Sequence, residues 1–286
     1  MKLAAAPISW GVSEVPDWGL QLAPDRVLSD VRALGLDATE AGPPGFLPVG
    51  AAAARALLER YGLRLVGGYV TAVLHEPARR AQELASVERQ AEWLAAGGAD
   101  FIVLAPALAQ TGYARGRELS DDAWGRLVEG IDRVAEIGES RGLGVAVHPH
   151  WGTAIERRHH IERFLEATTH ALCLDTGHIA LGGADPLKVT RDAGARVRHV
   201  HLKDVDGPLA ERLRAAGISY NDAVQAGLFR PLGEGVARIR EVLGELRRAA
   251  YQGWYVLEQD VMLDREPARS PPEWIARSAA FARKHG

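Results

Sequence analysis

Eight short apolar runs, spread along the whole chain and separated by longer amphipathic segments, constrain the fold more than any other feature. They are Leu3–Ile8, Leu36–Glu40, Leu63–Val70, Asp100–Leu104, Val145–His148, Ala171–Leu174, Val197–His201 and Trp254–Glu258. Near-continuous apolar runs of this length are the mark of strands in a parallel sheet buried on both faces. The intervening segments read as helices. Trp124, Leu127, Val128, Ile131, Val134 and Ala135 fall on one helical stripe. Ser120 is placed to cap that helix, and Asp121 and Asp122 stand in its first turn, where the helix dipole favours negative charge. A second helix carries Val236, Ile239, Val242, Leu243 and Leu246 on one face. Gly35, Gly62, Gly97, Gly142, Gly194 and Gly253 each follow a helical run and precede a strand, where a left-handed residue ends a helix.

Alternation of this kind implies right-handed βαβ units, and eight of them close into a (β/α)₈ barrel, expected as a single domain over residues 1–286. An open doubly wound sheet is the alternative. Its Gly-rich phosphate loop is missing, because Pro7-Ile8-Ser9-Trp10-Gly11 is not GxGxxG. The long connection from Asp204 to Glu234 is expected to form a lid or rim insertion.

Composition narrows the function classes. With 47% apolar and 25% charged residues the chain can bury a large core, and its net charge of −3 leaves no basic footprint for nucleic acid or an anionic membrane. Cys173 is the only cysteine, which excludes an intramolecular disulfide and fits a reducing cytoplasm. The N-terminal Met1–Pro7 lacks the apolar length of a signal peptide, and no later run is long enough to span a bilayer. The expectation is a cytoplasmic protein with a small-molecule partner, compatible with homo-oligomer assembly.

Active-site groups of such barrels stand at the C-terminal ends of the strands. Here strand two ends in Glu40 and strand three leads to His75. Strand five ends His148-Pro149-His150, and strand six runs into Asp175-Thr176-Gly177-His178. Strand seven ends His199-Val200-His201-Leu202-Lys203-Asp204, and strand eight ends Glu258-Gln259-Asp260. His148, Asp175 and His201 are 27 and 26 positions apart, about one βα unit each, so they become neighbours across the barrel mouth. One such residue is ordinarily a cap or a loop hydrogen-bonder; ligand types on four successive strand ends point to a metal. A mixed imidazole and carboxylate set suits Mn²⁺ or Co²⁺, also Zn²⁺ or Fe²⁺, and Mg²⁺ less well.

The segments Ala6–Gly11, Asp175-Thr176-Gly177-His178, His199–Asp204, Pro231–Gly235 and Val256–Asp260 resemble the xylose-isomerase-like TIM barrels. That superfamily includes sugar epimerases, hydroxypyruvate isomerase, dehydroshikimate dehydratase and inosose dehydratase. The APISWG opening, the Gly42–Pro48 stretch and the EQD ending resemble inosose dehydratases most. The resemblance implies Asp175, His201 and Glu258 as metal ligands. The isomerases place a glutamate at strand five, where this chain has His148, a departure that points to the dehydratase subgroup. Either His148 or His150 can then supply the fourth ligand, since both share one parity along the strand; His148 is taken as the ligand and His150 as catalytic.

The implied reaction is loss of water from a cyclic polyhydroxy ketone, 2-keto-myo-inositol first, as in inositol catabolism. A histidine removes the proton beside the carbonyl, and His178 or Lys203 protonates the departing hydroxyl. Glu14, Glu40, His75 and Arg230 are the candidates for binding substrate oxygens. A helix-capping role competes for His75, and pairing with Asp204 or Asp206 competes for Lys203. Trp10 and Cys173 read as packing, and His159-His160 as solvated surface. The alternative is a metal-dependent sugar isomerase or 3-epimerase, which shares the first proton transfer. A barrel that cuts DNA at abasic sites would need more ligands and a basic groove, and a non-catalytic polyol binder is the remaining class.

Overall fold

The computed structural model describes residues 1–110 and 113–286. Its strands are β1 (Lys2–Ala5), β2 (Ala38–Thr39), β3 (Arg64–Leu65), β4 (Gly67–Ala72), β5 (Phe101–Pro106), β6 (Gly144–Val147), β7 (Ala171–Asp175), β8 (Val197–Leu202), β9 (Asp204–Val205), β10 (Phe229–Arg230) and β11 (Trp254–Leu257). Nine of them form one sheet in the order β3-β2-β1-β11-β8-β7-β6-β5-β4, and every pairing is parallel. The two ends of that order, β3 and β4, are halves of one stave parted only by Val66. Val66 N–H donates to Thr39 O on one side at 3.0 Å, and Val66 O accepts from Phe101 N–H on the other at 3.2 Å. The sheet therefore closes on itself, giving the eight staves that the apolar runs predict.

Side-chain parity sorts the strands into two surfaces. Leu3, Ala5, Ile102, Leu104, Leu172, Leu174, Val200 and Leu202 face outward and pack under the helices in the main core. Ala4, Ala6, Ala38, Val66, Trp254 and Val256 fill one side of the bore, and Val103, Ala146 and Cys173 another. The helix Asp121–Glu139 buries Trp124, Leu127, Ile131 and Val134, and the Ser120 hydroxyl accepts from Ala123 N–H as its cap.

Several local expectations are revised. The first strand stops at Ala5, because Pro7 has no N–H to donate and opens a 3₁₀ turn over Pro7–Trp10. Val236 lies ahead of the helix Ile239–Arg248 and is exposed. Gly98 rather than Gly97 takes the left-handed conformation, and Ala250 rather than Gly253 does so after the last barrel helix. Of the two forms expected for the Asp204–Glu234 connection, it takes the rim insertion, as a folded unit. It contains the antiparallel pair β9–β10 and the helices Gly207–Arg214 and Tyr220–Gln225. Val205, Leu213, Tyr220, Leu228 and Phe229 build its own small core against Trp18 and Trp151.

Candidate active site

The strand ends deliver their side chains to one place. Asp175 and His201 are register partners on β7 and β8, and Val256 is the partner of His201 on β11, two residues before Glu258. His148 Nε2 lies 3.2 Å from Asp175 Oδ2. His201 Nδ1 lies 3.5 Å from the same oxygen and 2.5 Å from Glu258 Oε2. Asp175, His201 and Glu258 thus bring ligand atoms together, and His148 adjoins them through Asp175.

Its chemistry fits a divalent cation. His201 Nδ1 and Glu258 Oε2 are buried without a hydrogen-bond partner. Such orphans are costly unless something outside the polypeptide meets them. His201 Nδ1 and Glu258 Oε2 come close without the alignment of a hydrogen bond, as ligand atoms converging on one ion do. Two imidazoles and two carboxylates are a donor set for a transition-metal dication.

Beside the cluster opens a cavity of about 530 Å³. His148, His150, His201, Glu258 and Asp260 form its floor, Tyr69 and Tyr113 one wall, and Glu14 and Glu40 stand on its lining too. His150 Nδ1 donates to Trp151 O at 2.8 Å, which leaves the lone pair on Nε2. Burial, reinforced by His148 and Lys203, holds His150 neutral with its pKa down at about 3.

Lys203 and His178 are buried behind this wall and do not line the cavity. Lys203 Nζ contacts Asp260 Oδ1 at 2.8 Å, Glu258 Oε1 at 2.9 Å and His178 Nε2 at 3.1 Å, so its partners are neither Asp204 nor Asp206. Burial and the neighbouring His150 and Lys203 keep His178 uncharged. His75 and Arg230 do not line the cavity either. His75 is buried with Glu76 3.6 Å away, and Arg230 is bound to Asp206 at 2.8 Å.

Other singled-out residues resolve locally. Trp10 is core, donating to Asp30. Cys173 is buried, and burial raises its thiol to about 11. His159 is exposed, but His160 is buried, contrary to the expected solvated pair. Its Nδ1 accepts from Arg157 N–H at 3.3 Å at a helix start and its Nε2–H points to Glu118, so no lone pair remains for a metal.

Tyr69, Asp260 and Tyr113 are among the cavity residues absent from the sequence-derived site. Tyr69 shares the inward parity of its strand, and its ring lies 5.8 Å from that of His148. Asp260 shares the parity of Glu258, a signal present in the EQD ending. Tyr113 follows a loop, where no periodicity marks it.

A family model described as xylose isomerase-like TIM barrel matches residues 28–285. An inosose dehydratase of Geobacillus kaustophilus (strain HTA426) is 29% identical over 97% of this chain and 92% of its own. The rhizopine catabolism protein MocC of Rhizobium meliloti is 31% identical, with 99% and 90% covered. Among solved structures, a probable 3-DHS dehydratase from Bacillus anthracis superposes with a TM-score of 0.74 at 15% identity, covering all of both chains. An L-ribulose 3-epimerase superposes at 0.72 and 16%, covering 99% of this chain and 95% of that one; these two likenesses speak for the fold. The chain belongs to the xylose isomerase-like TIM barrel family.

Proposed function

We propose that this protein is a divalent-metal-dependent carbon–oxygen lyase that removes water from a cyclic polyhydroxy ketone, with 2-keto-myo-inositol as the leading substrate. The observation that carries the reading is the convergence of Asp175, His201 and Glu258, with His148 against Asp175, at the edge of a cavity lined by a neutral, lone-pair-bearing His150. The names of the relatives, inosose dehydratases above all, support the same chemistry.

His148, Asp175, His201 and Glu258 would hold the cation, with Mn²⁺ or Co²⁺ the best match, and such a cation supplies Lewis acidity toward a ketone oxygen. His150 Nε2 takes the proton from the carbon beside the carbonyl. A base held at about 3 removes only a proton that the polarised ketone has already acidified. The electron pair left behind forms the enediolate double bond. Its return expels the β-hydroxyl, which needs a proton to leave as water.

Asp260 is the group placed to give it. Burial, with the Glu258 carboxylate beside it, raises its pKa, and Lys203 and the Tyr220 hydroxyl fix its two oxygens at 2.8 Å each. His178 and Lys203, the two candidates for the acid in the sequence, act from behind the wall as positioning groups in this scheme. His150 ends protonated and Asp260 ionised, and exchange with water resets both. Glu14, Thr71 and Gln90 offer the cavity hydroxyl-binding atoms, as a polyol ring requires.

The test is product analysis. With 2-keto-myo-inositol, a dione with near-ultraviolet enol absorbance should accumulate, and fructose or tagatose should be epimerised weakly. Ketohexose turnover tenfold higher, about 1.4 kcal/mol of transition-state preference, would replace this reading with the isomerase one.

A further inference from the structure

Glu40 stands on the cavity wall where a residue binding substrate hydroxyls would stand, yet its carboxylate is already engaged. Oε1 accepts from His199 Nε2 at 2.8 Å and from His201 Nε2 at 3.0 Å. The three side chains are 5%, 0% and 2% exposed, so water does not compete for these bonds. Glu40 follows β2, which is three places from β8 in the sheet, and its side chain therefore crosses the bore to reach the histidines. The path is open because the inward positions of β1 and β2 and of the turn after β1 are Ala4, Ala38 and Ala6. Larger residues there would fill it.

The consequence falls on the opposite edge of the His201 ring. An imidazole that donates Nε2–H to a carboxylate keeps its proton there and carries its lone pair on Nδ1. Nδ1 is the atom that faces Asp175 and Glu258. His199 rises from the same face of β8 two residues earlier and donates to the same oxygen, which stops the carboxylate from turning toward the cavity.

We propose that Glu40 is a positioning residue for the cation site: it holds His201 in the tautomer and orientation whose Nδ1 is the ligand. This rests on the reading of His148, Asp175, His201 and Glu258 as cation ligands.

Calorimetric titration of Mn²⁺ into chelator-stripped protein, without substrate, tests it. Glu40→Gln should weaken binding about 10- to 100-fold, the usual effect of losing such a partner, and Glu40→Ala should weaken it further, since it leaves no acceptor. Glu156→Gln is the control for merely disturbing a buried carboxylate, because Glu156 accepts from Gly152 N–H and touches no candidate ligand. It should lower the unfolding temperature and bind Mn²⁺ like the parent. In ¹⁵N-histidine spectra of the Zn²⁺-loaded parent, His201 should show a protonated Nε2 and a coordinated Nδ1, and Glu40→Ala should lose that single tautomer. If the parent takes up no Mn²⁺, the cation reading itself fails. If the parent binds and both Glu40 variants bind equally well, Glu40 has another role and the cation reading survives. Equal weakening by Glu156→Gln and Glu40→Gln would mean general loosening and would overturn the proposal.

Discussion

Lys203 Nζ lies 2.8 Å from Asp260 Oδ1, and the ammonium side chain has no exposed surface. With Glu258 Oε1 2.9 Å away, it neutralises the Glu258 carboxylate and holds the Asp260 carboxyl in place at once. Removing one member of such a set leaves uncompensated buried charge, so Lys203→Met is expected to cost about 3–5 kcal/mol in urea unfolding. Burial alone would lower this lysine's pKa, but Asp260, Glu258 and Asp175 outweigh it and hold it above the ordinary 10.5. A cation with a raised folded-state value contributes its stability below the unfolded value and loses it as pH climbs past that. The parent–variant difference should then stay flat from pH 6 to 9 and shrink only in strong alkali. A variant as stable as the parent would show that the ammonium is not needed by its carboxylates.

His148 and His150 should fail differently when replaced. His148 Nε2 faces Asp175, whereas His150 spends Nδ1 on Trp151 O and keeps Nε2 for the cavity. His148→Ala should bind Mn²⁺ more weakly and regain part of its turnover in excess metal. His150→Ala should bind Mn²⁺ normally and lose roughly 10²–10⁴-fold in turnover, the contribution of a positioned base. Metal content measured beside turnover decides the matter, and the opposite pattern exchanges the two roles.

Gly177 is a packing requirement of the buried ammonium. A Cβ there would come within 2.4 Å of Lys203 Cγ and 2.8 Å of Lys203 Cβ and Cδ. Gly177→Ala should cost about 1–3 kcal/mol through overpacking and reduce turnover by displacing Lys203 from Asp260. Gly125, in an exposed helical position with nothing near its missing Cβ, serves as the contrast. Gly125→Ala should raise stability by about 0.5–1 kcal/mol. Thermal unfolding of both variants separates crowding from a general intolerance of alanine.

Asp204 ties two sequence motifs together. Its Oδ1 accepts from Val205 and Ala237 N–H at 3.0 and 2.9 Å, and its Oδ2 from Gly233 and Gly235 N–H at 2.9 and 3.0 Å. The aspartate closing the HxHxKD segment thus holds the PLGEG turn. Asp204→Asn turns one end of the side chain into a donor facing donors, and should cost about 1–3 kcal/mol. Mn²⁺ affinity should change little, because Asp204 touches none of the candidate ligands. A large loss of affinity with unchanged stability would contradict this division.

Much of the barrel was legible in the residue order. Strands buried on both faces must be apolar at nearly every position, so all eight staves stood out as runs such as Asp100–Leu104 and Val197–His201. The alternation of side chains also makes parity readable, so His148, Asp175, His201 and Glu258 could be placed on one rim before any contact was known. Helix ends were less legible. Ala250 takes a conformation that a nearby glycine seemed to claim, and His160 caps a helix inside a charged stretch.

The one-dimensional pattern by itself determined the staves, their inward faces and the ligand types at the mouth, because these follow from spacing along single strands. Only the tertiary structure decided which polar groups meet. Lys203 turns to Asp260 and Glu258 instead of its sequence neighbours, Arg230 is held by Asp206, and Glu40 crosses the bore to His199 and His201. Each of those pairings depends on strand stagger and on the volume of residues elsewhere, such as Ala4, Ala6 and Ala38. A distance across a barrel is set by all of its staves together, and no single segment encodes it.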